Sequence, residues 1–383
     1  MKKIYKLLLT LLIISNLFLN NNFVCATYEQ LKTVGPKISS KAGIVMEQST
    51  GRILWEKNCK EKLKIASTTK ILTAIVAVEN ANLEDKVKIS KKAALTGGST
   101  VGIILNSEVS LKSLLYGLLL KSGNDCAVAI AEYVGGNVEN FVNMMNKKAY
   151  EIGATNTYCT NPHGLDTENN YSTALDIAKI TCYAKNIEEI SKIMNTKSIN
   201  VLFGKAEKYL ANTNRLLLTY EYCDGGKTGY TAKANRCLVA TAKKEDLEIV
   251  AVVLGADTTD IRFKEGKELL KYGIENYKMI NIKDKINWYI DVPVLKGDID
   301  AYVAKVDLNT LLPLKTGEEE EIYVSQNIVP VIKAPAKKGM KLGKIGLHIK
   351  DETIYLKTIY LNEEINKKTV IDYLILGLRT IFN

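Results

Sequence analysis

The sequence predicts a mixed α/β (α+β) domain over residues 38–280, a small all-β domain over 281–366 and a C-terminal amphipathic helix over 367–383. Three observations carry this. Strand-like runs stand at both ends of the first region with apolar helices between them, so its sheet must join segments far apart in the chain. Beyond residue 281 the apolar runs become short, β-like and separated by charged turns. The last segment, KKTVIDYLILGLRTIFN, sets Val370, Ile371, Leu374, Ile375, Leu378, Ile381 and Phe382 on one helical face, with Asp372 and Arg379 away from it.

The elements follow in order. MKKIYKLLLTLLIISNLFL is a positive segment followed by an apolar one, and VCA at 24–26 offers the small residues that a signal peptidase reads. The apolar run Leu7–Leu19 is short for a span of about 20 residues, so residues 1–26 read as a removable secretion signal rather than an anchor. Cys25 lacks the Leu-small-small context of a lipidated cysteine. Residues 43–58 read as a hairpin around the turn Ser49–Gly51. KIASTTKILTAIVAV then opens a helix that is apolar on nearly every face, the pattern of a buried helix. Ser110 is placed to N-cap a second apolar helix, LKSLLYGLLL, which stops at Lys121 before the turn-like SGND. AVAIAEYV and NFVNMMNKKAYEIG continue the helical pattern to about Gly153. From Lys227, RCLVATAKK, a KED turn and LEIVAVVLG form a hairpin, and FKEGKELLKYGIENY closes the domain as a helix.

The net charge of +10, part of it in the leader, suits an anionic surface such as a cell wall or membrane. No basic run interleaves with aromatics, so a nucleic-acid partner is not expected. Cys59, Cys126, Cys159, Cys182, Cys223 and Cys237 lie beyond the leader without a C-x-x-C pair or a metal-binding spacing. A domain this large does not need disulfides, so buried free thiols are expected over one disulfide of unreadable connectivity. His163, in NPHGLD, and His348, in KIGLHIK, are the only histidines and read as structural. Zinc sites built on several histidines are thereby excluded, and no metal or cofactor is expected. A Ser-His-Asp triad would have to use one of these two, so any serine chemistry in this chain points toward a different base.

Ser67-Thr-Thr-Lys70 is the only S-x-x-K in the chain. On a helix, residues i and i+3 share a face, so Lys70 reaches the Ser67 hydroxyl. Ser67 in the first turn also has free backbone N–H groups beside it. The combination supplies a nucleophile, a base and half of an oxyanion hole, provided burial or a second cation lowers the Lys70 pKa. An ordinary Ser cap with an incidental Lys is the plainer reading. Ser122-Gly-Asn124 is weaker by itself, since Ser198-Ile-Asn200 and Ser325-Gln-Asn327 match the same pattern. Only the first follows one apolar helix and leads into another. Lys227-Thr228-Gly229 has a double in Lys315-Thr316-Gly317, but that copy precedes Glu318–Glu321, which would repel a carboxylate. The copy at 227 runs into a strand, where an ammonium and a hydroxyl would clamp a carboxylate and Gly229 would admit another backbone. Lys227 would also be the second cation near Lys70.

In this order the three motifs resemble those of the serine penicillin-recognising enzymes, and most closely the D-alanyl-D-alanine carboxypeptidases among the low-molecular-weight penicillin-binding proteins. The resemblance runs from about Ala42 to Tyr277, on KIASTTK, LLYGLLLKSGNDCAVAIAEYVGG, NPHGLD, NTNRLL and DGGKTGYTAKANRCLVATA. The tail with KAPAKKGMKLGKIG is similar, more loosely, to the family's β-rich C-terminal domain, and an amphipathic anchor is a family habit. The resemblance implies a β-lactamase/transpeptidase-like catalytic fold and removal of the terminal D-Ala from peptidoglycan stem peptides, with β-lactams as acylating inhibitors. It implies that Ser67 attacks, Lys70 takes the proton, Ser122 passes a proton to the leaving amine, and Asn124 holds the peptide. It implies that Lys227 and Thr228 bind the terminal carboxylate, with Gly229 beside them, and that the N–H groups of Ser67 and Tyr230 form the oxyanion hole. Arg215 and Arg262 resemble family positions on the carboxylate side or in a structural role. An exported enzyme at the outer face of the cytoplasmic membrane follows, held to the membrane surface by the C-terminal helix. Asn235 departs from the family's usual Gly, and Cys126 from its usual Ala. Two alternatives stand beside this reading: a β-lactamase using Glu168 to deacylate, and a non-catalytic β-lactam or cell-wall sensor.

Overall fold

In the computed structural model, residues 35–283, 286 and 288–375 are described. The expected leader, 1–26, and residues 376–383 of the expected C-terminal helix lie outside the described residues.

The catalytic region is built on a five-stranded antiparallel sheet. Strands β1 (Ala42–Glu47) and β2 (Ile53–Lys57) form the expected hairpin. β1 then pairs with a strand two hundred residues later in the chain, Leu247–Ala256, through the register Ala42↔Leu254 to Glu47↔Ile249. Every pairing in this sheet is antiparallel, so of α/β and α+β the fold is α+β. Both faces of the sheet are covered, and successive residues divide between two cores. Ile44, Val250, Val252 and Leu254 pack toward the helical layer, whereas Val45, Ile249, Ala251 and Val253 pack against the helix Thr259–Asn276. Burial on both faces explains why LEIVAVVLG reads as an unbroken apolar run.

The helical layer contains α1 (Lys70–Asn80), α2 (Leu111–Leu120), α3 (Asn124–Gly135) and α4 (Val138–Glu151). Ser110 caps α2 as expected, accepting a hydrogen bond from the Ser113 N–H. α5 (Ala174–Lys185) and α6 (Glu188–Asn195) complete the layer, and a hairpin, β3 (Ser198–Phe203) with β4 (Ala206–Ala211), follows. The chain then enters β5 (Cys223–Thr231), β6 (Asn235–Lys244) and β7 (Leu247–Ala256), giving the sheet order β2-β1-β7-β6-β5. β5 therefore stands at an edge, beside the start of α1.

The β-rich region has its own core, with Ile290, Tyr302, Leu312, Leu347 and Ile365 fully or nearly buried. Strand Lys278–Asn281, just before the expected boundary, pairs with Leu311–Leu314 in this region. Cys59, Cys126, Cys159, Cys182, Cys223 and Cys237 are buried free thiols. A helical turn over 370–375 leaves Val370, Ile371 and Leu374 exposed. No helix among the described residues is long and apolar enough to cross a membrane.

Candidate active site

Ser67 lies in a 3-10 turn, Ala66–Thr69, that leads directly into α1. Three residues per turn eclipse i and i+3, which stacks Lys70 over Ser67. The Lys70 Nζ sits 2.7 Å from Ser67 Oγ, 2.7 Å from Asn124 Oδ1 and 2.7 Å from the His163 carbonyl oxygen. The Ser67 hydroxyl is not spent as a helix cap; Thr68 and Thr69 instead bond back to the carbonyls of Ile65 and Ala66. Ala66 holds a left-handed φ of 48°, a local strain of the kind stored at functional sites.

Lys70 is fully buried. Burial, and then the nearby positive charge of Lys227, holds its pKa well below the ordinary lysine value. A neutral amine has two hydrogens and one lone pair. Asn124 Oδ1 and the His163 carbonyl accept those two hydrogens, and the lone pair faces the Ser67 hydroxyl. If Lys70 gains the Ser67 proton, Ser67 Oγ changes from donor to acceptor while the other two partners go on accepting. The proton transfer needs no rearrangement.

The loop NPHGLD positions this centre. Asn161 Oδ1 accepts from the Gly164 N–H (2.7 Å), and Thr73 on α1 donates to the Pro162 carbonyl (2.6 Å). Gly164 has φ +86°, and a Cβ there would lie 1.9 Å from the Ala66 oxygen, so only glycine lets the loop come this close. Asp166 ties the loop to β5 by accepting from Thr231 Oγ1 (2.9 Å). Burial and then Lys70 push the His163 imidazole pKa down to about 4, and the group His163 presents to Lys70 is its backbone carbonyl. Sequence reasoning assigned His163 a structural role and did not find that carbonyl.

A cleft of about 370 Å³ opens over Ser67, lined also by Ser122, Asn124, Thr213, Thr228, Gly229, Tyr230 and Arg262. Ser122 is buried with φ +65°, in the turn between α2 and α3. Asn124 spends Nδ2 on the Gly97 carbonyl (2.8 Å) while Oδ1 faces Lys70. One amide hydrogen therefore remains for a ligand. On β5, Lys227 is fully buried and donates to the Thr228 carbonyl (2.9 Å), and Thr228 Oγ1 donates to Thr213 Oγ1 (2.7 Å). A Cβ on Gly229 would lie 3.0 Å from the Ser67 nitrogen, so a side chain would crowd the N–H beside the nucleophile. Tyr230 is exposed on the rim, its ring 4.8 Å from the Arg236 guanidinium.

The electrostatics favour an anion. Burial and then Arg262 push the Lys227 pKa down to about 7, and Arg262 itself is pushed down to about 10, first by burial. No acidic side chain lines the cleft, and the buried Arg262 Nε has no hydrogen-bond partner among the described residues. An Arg262 Nε without a partner at the cleft, with the Lys227 ammonium buried behind it, is an arrangement that can attract a carboxylate. Arg215 stands apart: it is exposed, outside the lining, with its guanidinium 5.7 Å from the Phe263 ring. Among the described residues, no group of His, Cys, Asp and Glu side chains is arranged to hold a metal.

A family model described as D-alanyl-D-alanine carboxypeptidase, Peptidase_S11, matches residues 29–258. The chain belongs to this family. D-alanyl-D-alanine carboxypeptidase DacF of Bacillus subtilis (strain 168) is 35% identical over 350 residues, covering 88% of each chain. DacC of Escherichia coli (strain K12) is 32% identical over 346 residues, covering 87% of this chain and 86% of the relative. Among solved structures, penicillin binding protein 5 from Haemophilus influenzae matches with a TM-score of 0.77 at 29% identity, covering 88% of this chain and 100% of that one.

The departures from the family pattern have physical readings. Asn235 has φ +54° at the turn into β6, and Asn is the residue that best replaces Gly in that conformation. Cys126 is fully buried, its Sγ 2.6 Å from where a Cβ on Gly117 would stand, so the thiol fills space left by two glycines, Gly117 and Gly123. Glu168 is exposed and outside the cleft lining, with its backbone carbonyl accepting from Lys64 (2.6 Å), which disfavours a β-lactamase reading built on it.

Proposed function

We propose that this D-alanyl-D-alanine carboxypeptidase works through an acyl-enzyme on Ser67, and that β-lactams acylate the same oxygen. Ser67 Oγ attacks the carbonyl of the penultimate D-Ala while its proton passes to Lys70. The N–H groups of Ser67 and Tyr230 hold the oxyanion. As the C–N bond breaks, Ser122 relays the proton to the departing D-Ala amine; water then cleaves the ester. Lys227, Thr228 and Arg262 hold the terminal carboxylate, and Asn124 keeps one amide hydrogen for the peptide. The observation that carries the reading is the set of three 2.7 Å contacts around the Lys70 nitrogen, which fits both proton states. Free D-Ala released from a soluble peptide ending in D-Ala-D-Ala tests it. Wild type should release D-Ala and Ser67→Ala should not, while labelled penicillin should mark only wild type. Penicillin labelling without D-Ala release would leave a sensor, and rapid penicillin turnover would indicate a lactamase.

The enzyme acts outside the cytoplasmic membrane, after removal of residues 1–26, and the segment 367–383 lies on the membrane surface. The support is the sequence pattern together with the exposed Val370, Ile371 and Leu374. Deleting 367–383 should move the processed protein from the membrane to the soluble fraction with D-Ala release intact; retention in the membrane fraction would refute the anchor.

A further inference from the structure

Asp125 follows Asn124 and is 1% exposed, yet no salt bridge to its carboxylate forms among the described residues. Its oxygens instead accept from the backbone N–H groups of Val101 (3.0 Å), Gly102 (2.8 Å), Ile103 (3.2 Å) and Cys126 (2.9 Å). Lys208, on β4, approaches the same loop from the other side and donates to the carbonyls of Val101 (2.8 Å) and Gly102 (2.6 Å). The peptide groups Val101–Gly102 and Gly102–Ile103 each give their N–H to Asp125 and their oxygen to Lys208. Two peptide dipoles thus lie between a carboxylate and an ammonium, each bond polarising the next.

The same loop governs Asn124. The Asn124 N–H donates to the Ser99 carbonyl (2.7 Å), and Nδ2 donates to the Gly97 carbonyl (2.8 Å). Gly98, with φ +86°, would carry a Cβ 2.6 Å from Asn124 Nδ2, so the loop closes directly on the amide. An acceptor at Gly97 fixes Nδ2 toward the loop and therefore Oδ1 toward Lys70. If the loop were free, Nδ2 could turn to Lys70. A donor there disfavours the protonated amine and competes for the lone pair that takes the Ser67 proton.

We propose that Asp125 and Lys208 are positioning residues for the Ser67–Lys70 pair, clamping loop 97–103 so that Asn124 presents its oxygen to the base. The proposal rests on Ser67 as the nucleophile. It assigns hairpin β3–β4, far along the chain from Ser67, Lys70 and Asn124, a part in setting the acylation rate.

The test is the acylation rate by labelled penicillin as a function of pH, in wild type, Lys208→Met, Lys208→Arg and Asp125→Asn. The charged and titratable groups facing Lys70 are Lys227 from β5, Asp125 and Cys126 from α3, and His163 from its loop; Lys208→Met replaces none of them and acts directly only on the field at the buried Cys126 thiol. Loss of the clamp should slow acylation roughly 10–100-fold, the scale of a misplaced catalytic group. The acid limb should move to lower pH, and Lys208→Arg should restore most of the rate. Asp125→Asn should show the same changes; where it fails to fold, the Lys208 pair decides. A Lys208→Met enzyme with wild-type rate and pH profile overturns the clamp, as does a slow one with an unshifted profile that Arg fails to rescue. A wild type that penicillin does not label at Ser67 overturns the nucleophile reading, and with it the clamp; a labelled wild type beside an unaffected variant overturns the clamp alone.

Discussion

Lys70 and Lys227 are two fully buried amines that the chain leaves without a carboxylate partner among the described residues. The proposed mechanism needs their proton states to be opposite: Lys70 neutral to accept the Ser67 proton, Lys227 charged to hold the substrate carboxylate. D-Ala release should therefore give a bell-shaped kcat/KM, rising as Lys70 loses its proton and falling above about pH 7 as Lys227 loses its own. A flat alkaline side would remove Lys227 from carboxylate binding. The same amine has a stability cost. The unfolded Lys227 keeps its proton to about pH 10.4, whereas the folded one releases it near 7, so between these values the unfolded chain holds more protons and stability rises with pH. Lys227→Met should raise the melting temperature by roughly 2–4 °C at pH 6 and by less at pH 9.5. KM for the peptide should rise roughly 10–100-fold with the loss of a charge-assisted hydrogen bond. Equal stabilisation at both pH values would show that the buried charge is not the cause.

At the scale of elements, two positions depend on left-handed backbone. Asn235 at the β5–β6 turn should tolerate Gly within a few tenths of a kcal/mol, whereas Asn235→Val should cost about 1–2 kcal/mol in denaturant unfolding. Equal unfolding midpoints for both variants would refute that account. Gly164→Ala should both destabilise the fold and slow penicillin acylation, because its Cβ would meet the Ala66 carbonyl and push the His163 oxygen off Lys70. Unchanged acylation would mean that carbonyl is dispensable. Much of this level was legible. Ser110 caps α2, the strands near 235–256 follow their apolar runs, and the S-x-x-K spacing places base on nucleophile. The roles of His163, Thr213, Asp125 and Lys208 were not, because each acts through a backbone group or a partner that only folding supplies. Asn124, read as a peptide-holding amide, also has its backbone N–H, one Nδ2 hydrogen and Oδ1 engaged within the protein, which leaves one amide hydrogen for that role.

The β-rich region meets the catalytic domain at Arg52, which follows the turn between β1 and β2. Its buried guanidinium pairs with Glu318 (3.0 Å) and Glu352 (2.9 Å). The second K-T-G sits at this seam. Lys315 Nζ lies 5.2 Å from the Tyr277 ring, and Gly317, with φ +91°, precedes the short helical turn Glu318–Glu320. The turn expected there exists, and one glutamate of its acidic run is a partner for Arg52. Arg52→Met should lower stability by about 1–3 kcal/mol and expose residues near 277–283 to protease, with D-Ala release unchanged. Protease resistance equal to wild type would show that the seam holds without the guanidinium.

By itself, the sequence pointed to the chemistry. S-x-x-K, S-x-N and K-T-G in order, in a chain with two histidines, pointed to a lysine base and, through the family they resemble, to a substrate ending in a carboxylate. Spacing along one helix is local geometry, and local geometry is written in local residues. Tertiary structure alone decided which way the Asn124 amide points, that a histidine contributes its carbonyl rather than its ring, that Arg262 and not Arg215 lines the cleft, and which copy of K-T-G faces the serine. Those outcomes depend on segments that become neighbours only when the sheet closes β1 onto β7, and hydrogen bonds and desolvation act over ångströms in space, not along the chain.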